Sequence, residues 1–286
     1  MSKPRILLQL DADPQPSVFD AVVAIDSGVD HLLQHHGVTP QNVRDLVYGT
    51  IFTRGPGDLH DTAIFIGGSD VSAGEALLAE VRQTFSGPMR VSIMVDSGGA
   101  NTTAAATVLA VLKHRSGGET TAAVLGATGP VGQRVVRLLA REGMTVRVGS
   151  RRLDRAEAVC RSVASAAATR LSAHSTATPA ETAVALTGSS VVIAAGALGV
   201  TLLTSEVRRA CPALQLAVDL NAVLPAGIEG VDPQDKAVPR DGVISYGALG
   251  IGGTKMKIHK AAIRRLFESN DQVLDAEEIL EIGRGI

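Results

Sequence analysis

What most restricts the fold of this chain is a series of short apolar runs, each followed closely by a segment of helical periodicity. Residues 5–10, 63–66, 91–95, 121–125, 145–148, 190–195 and 215–220 are four to six residues long and rich in Ile, Leu, Val and Ala. Runs of that length without strict alternation are what strands buried on both faces look like. Helical patterns cover 17–25, with Ser17 as cap, 71–85, 130–141 and a stretch from Asp154 onward. Asn101 or Thr102 is placed to cap a further helix reaching about 114, and Thr39-Pro40 reads as another helix start. Thr178-Pro179-Ala180-Glu181 spells a capping box with Pro at the first helical position. Short helices are expected at 205–210, 256–268 and 276–282. Parallel strands need a crossover, and a helix is the usual one, so repeated β–α units predict parallel sheets. The expected class is α/β: two α/β domains, the second a Rossmann-like doubly wound parallel sheet. The polar, glycine-containing stretch 116–121 reads as the boundary. It divides an N-terminal domain over 1–115 from a nucleotide-binding domain over 116–253, with C-terminal helices over 254–286 returning to the first domain.

Composition narrows the function classes. A formal charge of −2, no Trp, two Tyr and five Phe offer neither a basic field nor stacking platforms for nucleic acid. Cys160 and Cys211 lie 51 residues apart in helix-like segments without a CxxC pair, which suits a reduced, cytoplasmic chain. The first apolar run is cut short by Asp11 and Asp13 and is too short for a signal peptide. The uncharged stretch 182–205 is broken by Gly188, Gly196 and Gly199, so it reads as helix end, strand and turn rather than a membrane span.

The strongest local signal is Gly126-Ala127-Thr128-Gly129-Pro130-Val131-Gly132, which follows a buried strand and opens a helix. A dinucleotide needs small residues there: the turn is tight, the backbone must approach a pyrophosphate, and the helix N-terminus offers N–H groups to the anion. An NAD site usually carries an acid at the end of the next strand to hold the ribose 2′-hydroxyl. Here that place reads Gly149-Ser150-Arg151-Arg152, which suits the 2′-phosphate of NADP. Ligands lie beyond the carboxyl ends of strands in such sheets. Ala195-Gly196-Ala197, Asp219-Leu220-Asn221 and the glycine-dense 247–253, with Gly250 and Ile251, are therefore expected to wall the nicotinamide. A C-terminal hinge would explain the last glycines equally well.

Several stretches carry a more specific resemblance. They are Asp11-Ala12-Asp13, Pro16-Ser17-Val18-Phe19-Asp20, Gly49-Thr50-Ile51-Phe52-Thr53-Arg54-Gly55, Ala63-Ile64-Phe65-Ile66-Gly67-Gly68, and Asp96-Ser97-Gly98-Gly99-Ala100-Asn101-Thr102-Thr103. With Lys255-Met256-Lys257-Ile258-His259 and Leu266-Phe267-Glu268-Ser269 they span nearly the whole chain. Together they resemble the bacterial NADP-dependent methylene-tetrahydromethanopterin dehydrogenases, in the branch that also accepts methylene-tetrahydrofolate. The resemblance implies oxidation of a one-carbon unit bridging two nitrogens of a reduced pterin, with hydride passing directly to NADP. It further implies that Lys255 and Thr103 serve the catalytic side, with Lys257 the alternative lysine. Asp13, Ser17, Asp20 and Asn101 are the implied pterin contacts, and a homo-oligomer is implied, for which a trimer is one candidate. The chain departs from the family pattern at Ala127, where members carry glycine, and at Arg151-Arg152, where they carry an Arg-Lys pair. No metal is expected, since hydride loss leaves a cation delocalised over two nitrogens.

Two other functions compete. A dehydrogenase of a small hydroxy or keto acid moves a proton with the hydride and needs an acid/base pair, for which Lys255 with Asp219 is conceivable. A non-catalytic NADP sensor would keep the nucleotide half alone. His31, His35 and His36 mimic a metal cluster, but no cysteine completes a set, and a helix-end surface cluster is the expectation.

Overall fold

The computed structural model describes residues 3–115, 118–164 and 170–286. Ser116 and Gly117, within the expected boundary stretch, lie outside the described residues. The chain forms two compact units, one up to Thr102 together with Met256–Ile286, the other Thr103–Lys255.

The first unit begins β1 (Ile6–Leu10), α1 (Val18–Asp26), β2 (His31–His35), α2 (Val43–Ile51), β3 (Thr62–Ile66), α3 (Val71–Thr84), β4 (Ser92–Val95). α4 (Ala100–Lys113) leads out of it. The second unit runs β5 (Thr121–Leu125), α5 (Pro130–Arg141), β6 (Thr145–Ser150), α6 (Leu153–Ala164), β7 (Arg170–Ser175), α7 (Pro179–Leu186), β8 (Val191–Ala194) and α8 (Ser205–Arg209). It continues with β9 (Leu216–Asp219), β10 (Lys236–Arg240) and β11 (Val243–Tyr246), and α9 (Ala248–Arg265) leads out of it. β12 (Val273–Leu274) and α10 (Ala276–Arg284) complete the first unit.

The first sheet is parallel throughout, in the order β12-β4-β3-β1-β2. Every residue of β3 is buried, which is why its sequence is a continuous apolar run. Val43, Val47 and Ile51 of α2 and Leu77 and Val81 of α3 pack with Leu8, Ile64, Ile66 and Ile93 of the sheet. These positions recur at three- and four-residue steps, one stripe per helix, and that stripe is what the sheet buries. Asp70 caps α3 by accepting from the Ala73 N–H at 3.0 Å.

The second sheet has the order β10-β11-β9-β8-β5-β6-β7, with only β10 antiparallel to its neighbour. Strand order reverses between β5 and β8, and a crevice opens beyond the carboxyl ends at such a point. Thr178 and Glu181 complete their capping box on α7.

Local expectations are corrected in several places. His31–His35 is an edge strand, not a helix end, so His31 and His35 are separated by about 13 Å of extended chain rather than one helical turn. α2 starts at Val43 rather than at Pro40, because Asn42 Oδ1 accepts the Thr39 N–H at 2.8 Å and holds 39–42 as a turn. Neither Asn101 nor Thr102 caps α4: Asp96 Oδ1 accepts both their N–H groups, at 2.9 and 3.0 Å. Cys160 lies on α6, whereas Cys211 lies just past α8; both thiols are free, and burial pushes both up. The glycine-dense stretch 247–253 lies almost wholly within α9, which begins at Ala248, eight residues before the expected helix start at 256.

Candidate functional site

A cleft of about 440 Å³ lies at the reversal point of the second sheet. Its floor is the β5–α5 turn, where Gly126, Thr128, Gly129, Pro130 and Val131 line it. Gly126 has φ +70°, and an added Cβ would lie 2.6 Å from Gly196 Cα, so neither its backbone nor its neighbours tolerate a side chain. Gly132 is glycine for helix–strand packing, because a Cβ there would lie 2.7 Å from Ala127 Cα. Ala127 is itself wholly buried, so its methyl group points away from the cleft. Gly129 differs from both. A Cβ on it would meet only Ala195 O and Gly126 O, at 3.7 and 3.8 Å, which is ordinary contact. Nothing in the fold requires that glycine, and it lines the cleft at the cap of α5. The first intrahelical bond of α5 runs from Gln133 N–H to Gly129 O, so the N–H groups of Val131 and Gly132 have no acceptor within the helix. The bare Gly129 and the Val131 donor, both lining the cleft, fit a pyrophosphate.

The far end of the cleft lies at the end of β6. Ser150, Arg151 and Arg152 line it, joined by Arg155 and Thr176. Ser150 is buried, and its Oγ accepts the Arg152 N–H at 3.2 Å. Asp154 does not line the cleft; its carboxylate grips Arg152, with Nε–Oδ1 3.1 Å and Nη2–Oδ2 2.6 Å. That pairing holds Asp154 below the usual carboxylate range. Ala195, Gly196 and Ala197 form the opposite wall with Val200 and Leu202.

Gly132, Asn221, Gly250 and Ile251 do not line the cleft. Asn221 is buried and holds its own loop, donating to Pro225 O at 3.0 Å and accepting the Val223 N–H at 3.0 Å. Gly250 abuts Asp235, and Ile251 is a core residue. Arg155 is visible in the sequence only as one more arginine, and Thr176 follows β7, a half-exposed edge strand with no continuous apolar run to reveal it.

A second group of side chains gathers within the first unit, where β1, β3 and β4 end. Asp11 is buried; its Oδ2 accepts the Ser17 N–H at 2.7 Å and Gln9 Nε2 at 2.9 Å. Ser17 Oγ in turn caps α1 by accepting the Asp20 N–H at 3.2 Å. Asp13 binds Ser69 twice, by its N–H and its hydroxyl, both at 2.9 Å. Gly67 lets the chain pass, since a Cβ there would lie 2.4 Å from Asp11 Oδ1 and 3.3 Å from Asp20 Oδ2. Burial pushes the Asp20 carboxyl up, against the opposing field of His259, while Asp96 and Asp11 raise it further. The buried His259 ring stacks on Phe65 at 5.6 Å. The structure thus brings together Asp13, Ser17 and Asp20, and adds Asp11 and His259. Asp11, Asp96 and His259 stand in the stretches that carry the resemblance, but nothing in their spacing marks them as neighbours. Asn101 is buried and donates to Val95 O and Asp275 Oδ1, at 2.7 and 2.8 Å. Lys255 is half-buried and Lys257 exposed, both inside α9; Thr103 is half-buried in the first turn of α4.

Burial also pushes Asp11 upward. The native state therefore keeps its proton to a higher pH than the unfolded chain. Its contribution to stability is present below the ordinary carboxyl pKa and is lost as pH rises through the native one. We expect the Asp11 carboxyl carbon, followed by NMR, to titrate above about 3.9; a midpoint at or below that value would contradict the burial argument.

Fold and cleft together define a dinucleotide-binding protein of the Rossmann class. Residues 18–98 match the family described as methylene-tetrahydromethanopterin dehydrogenase, N-terminal. The chain is 46% identical over 286 residues to the bifunctional protein MdtA of Methylorubrum extorquens, covering 99% of each. It is 31% identical over 264 residues to the NAD(P)-dependent methylenetetrahydromethanopterin dehydrogenase of the same organism, covering 89% of each. The chain belongs to the methylene-tetrahydromethanopterin dehydrogenase family. Among the described residues no group of three His, Cys, Asp or Glu is placed to hold a metal, and no helix is long and apolar enough to cross a membrane.

Proposed function

We propose that the protein oxidises methylene-tetrahydromethanopterin to its methenyl form by direct hydride transfer to NADP, and that it also accepts methylene-tetrahydrofolate. The observation that carries this is family membership over nearly the full chain. The cleft agrees with it, because its adenosine end presents three arginines and, among the described residues, no lining acid.

NADP, when bound, supplies the hydride acceptor. The chain's own task is to hold two flat rings in register and to provide a field suited to a cation delocalised over two nitrogens. No proton leaves the reacting carbon, so no general base is required there. The Val131 N–H group and the bare Gly129 receive the pyrophosphate. Lys255 serves the pterin by hydrogen bonding, Thr103 stands with it, and Asp13, Ser17 and Asp20 supply further pterin contacts. The hydroxy-acid alternative would need Asp219 as half of an acid/base pair. Asp219 is buried, and its two oxygens already accept the N–H groups of Asn221 and Ile228, at 3.0 and 2.9 Å. The proposal includes a homo-oligomer in the cytoplasm; the exposed Val18, Phe19, Val22 and Ile25 of α1 are apolar surface that a neighbouring subunit would cover.

The test is NADP reduction followed by absorbance with each pterin, and with NAD in place of NADP. Turnover is expected with both pterins, and Lys255→Ala is expected to lower kcat/KM about 100-fold while leaving NADP affinity unchanged. Tight NADP binding without turnover on either pterin would reject the dehydrogenase and favour a sensor.

A further inference from the structure

We propose that Arg155, together with Arg151, grips the 2′-phosphate of NADP, and that Asp154 withholds Arg152 from it and so sets how strongly the protein prefers NADP to NAD. The inference rests on the cleft being an NADP site and goes beyond it by dividing the labour among three guanidinium groups.

All three arginines line the same end of the cleft, beside Ser150 and Thr176. They are not equivalent. Arg152 presents one edge of its fork, Nε and one Nη, to Asp154, at 3.1 and 2.6 Å. That is the edge-on bidentate geometry by which a guanidinium recognises an oxyanion, and a carboxylate already occupies it. The guanidinium groups of Arg151 and Arg155 have no ion-pair or hydrogen-bond partner among the described residues. Both side chains are exposed; Arg151 lies in the bend before α6 and Arg155 in its first turn, and both line this end of the cleft. A phosphate dianion between them meets two uncommitted forks. A phosphate drawn to Arg152 would meet the Asp154 carboxylate beside it. Asp154 therefore acts as a positioning residue: it touches Arg152, not the nucleotide, and lowers the positive field that distinguishes a 2′-phosphate from a 2′-hydroxyl. The Arg152–Asp154 pair is exposed on both sides, so it adds little to folding stability, and its removal leaves the scaffold intact.

The experiment is isothermal titration of the full-length protein with NADP, NAD and adenosine 2′,5′-bisphosphate at one fixed ionic strength. Arg155→Gln and Arg151→Gln are each expected to weaken NADP and the bisphosphate by about tenfold or more, with NAD unchanged. Arg155→Lys, which keeps the charge but not the fork, is expected to fall between Arg155→Gln and the parent. Arg152→Gln is expected to change NADP affinity by less than about threefold, and Asp154→Asn to tighten NADP a few-fold without affecting NAD. An unchanged NADP affinity in Arg155→Gln would overturn the proposal, as would an equal loss in Arg152→Gln. So would an Asp154→Asn effect shared by NADP and NAD. A parent protein that binds NAD and NADP equally would overturn the 2′-phosphate grip while leaving the dinucleotide cleft standing. Binding of neither would instead remove the nucleotide reading on which the proposal rests.

Discussion

Gly129→Val is expected to fold like the parent protein and to lose NADPH binding by about 100-fold or more. The fold admits a Cβ here: φ is −76°, and the nearest atom to an added Cβ is 3.7 Å away. The loss of glycine at the helix cap costs about 1 kcal/mol at most. The valine would instead stand in the cleft, where a pyrophosphate must come against the backbone to reach the Val131 N–H group. Titration by NADPH fluorescence, with thermal unfolding as the control, measures both halves. Binding within about threefold of the parent would mean that the nucleotide does not lie across this turn.

Gly250→Ala is expected to do the reverse, damaging the fold. An added Cβ would lie 1.9 Å from Asp235 O and 2.8 Å from Asp235 C. Asp235 cannot readily yield. Its carboxylate holds Arg240 through two hydrogen bonds, at 3.0 and 2.6 Å, and accepts the Asp232 N–H at 2.9 Å. Overpacking against fixed backbone costs about 3 kcal/mol or more, a fall in Tm on the order of 10 °C for a unit of this size. Gly253→Ala is the matched control, since a Cβ there meets nothing within 4 Å. That variant should gain about 1 kcal/mol from helix propensity. Equal thermal stability of the two variants would show that α9 does not press on the 232–236 segment.

The central strands were legible because they are buried on both faces: β1, β3, β4, β5, β6, β8 and β9 each stand out as an apolar run. β2, β7, β10 and β12 were not, because each lies at a sheet edge, where one side is solvated and the composition is mixed; β11 holds only two consecutive apolar residues, Val243 and Ile244, before Ser245. The turn at Gly126–Gly132 was legible for the same local reason, as strand, small residues and helix start follow one another directly. Family resemblance pointed to Asp13, Ser17 and Asp20, and they do gather at the end of β1. Asp11, held by Ser17, and His259, stacked on Phe65 from the far end of the chain, joined them only in three dimensions.

The sequence by itself determined the layered α/β class, the parallel central strands and the nucleotide turn, because each follows from neighbours within a few residues. It also showed no acid at Gly149-Ser150-Arg151-Arg152, the end of β6, which favours NADP. Only the tertiary structure decided what each glycine is for and which arginine is available. Gly250 is demanded by Asp235 and Gly129 by nothing in the fold, although both look alike in a glycine-rich stretch. Arg152 is committed to Asp154 while Arg151 and Arg155 are not, although all are equal as charges. Steric demand and ion pairing are properties of atoms within a few ångströms of one another, and packing sets those distances, not order along the chain.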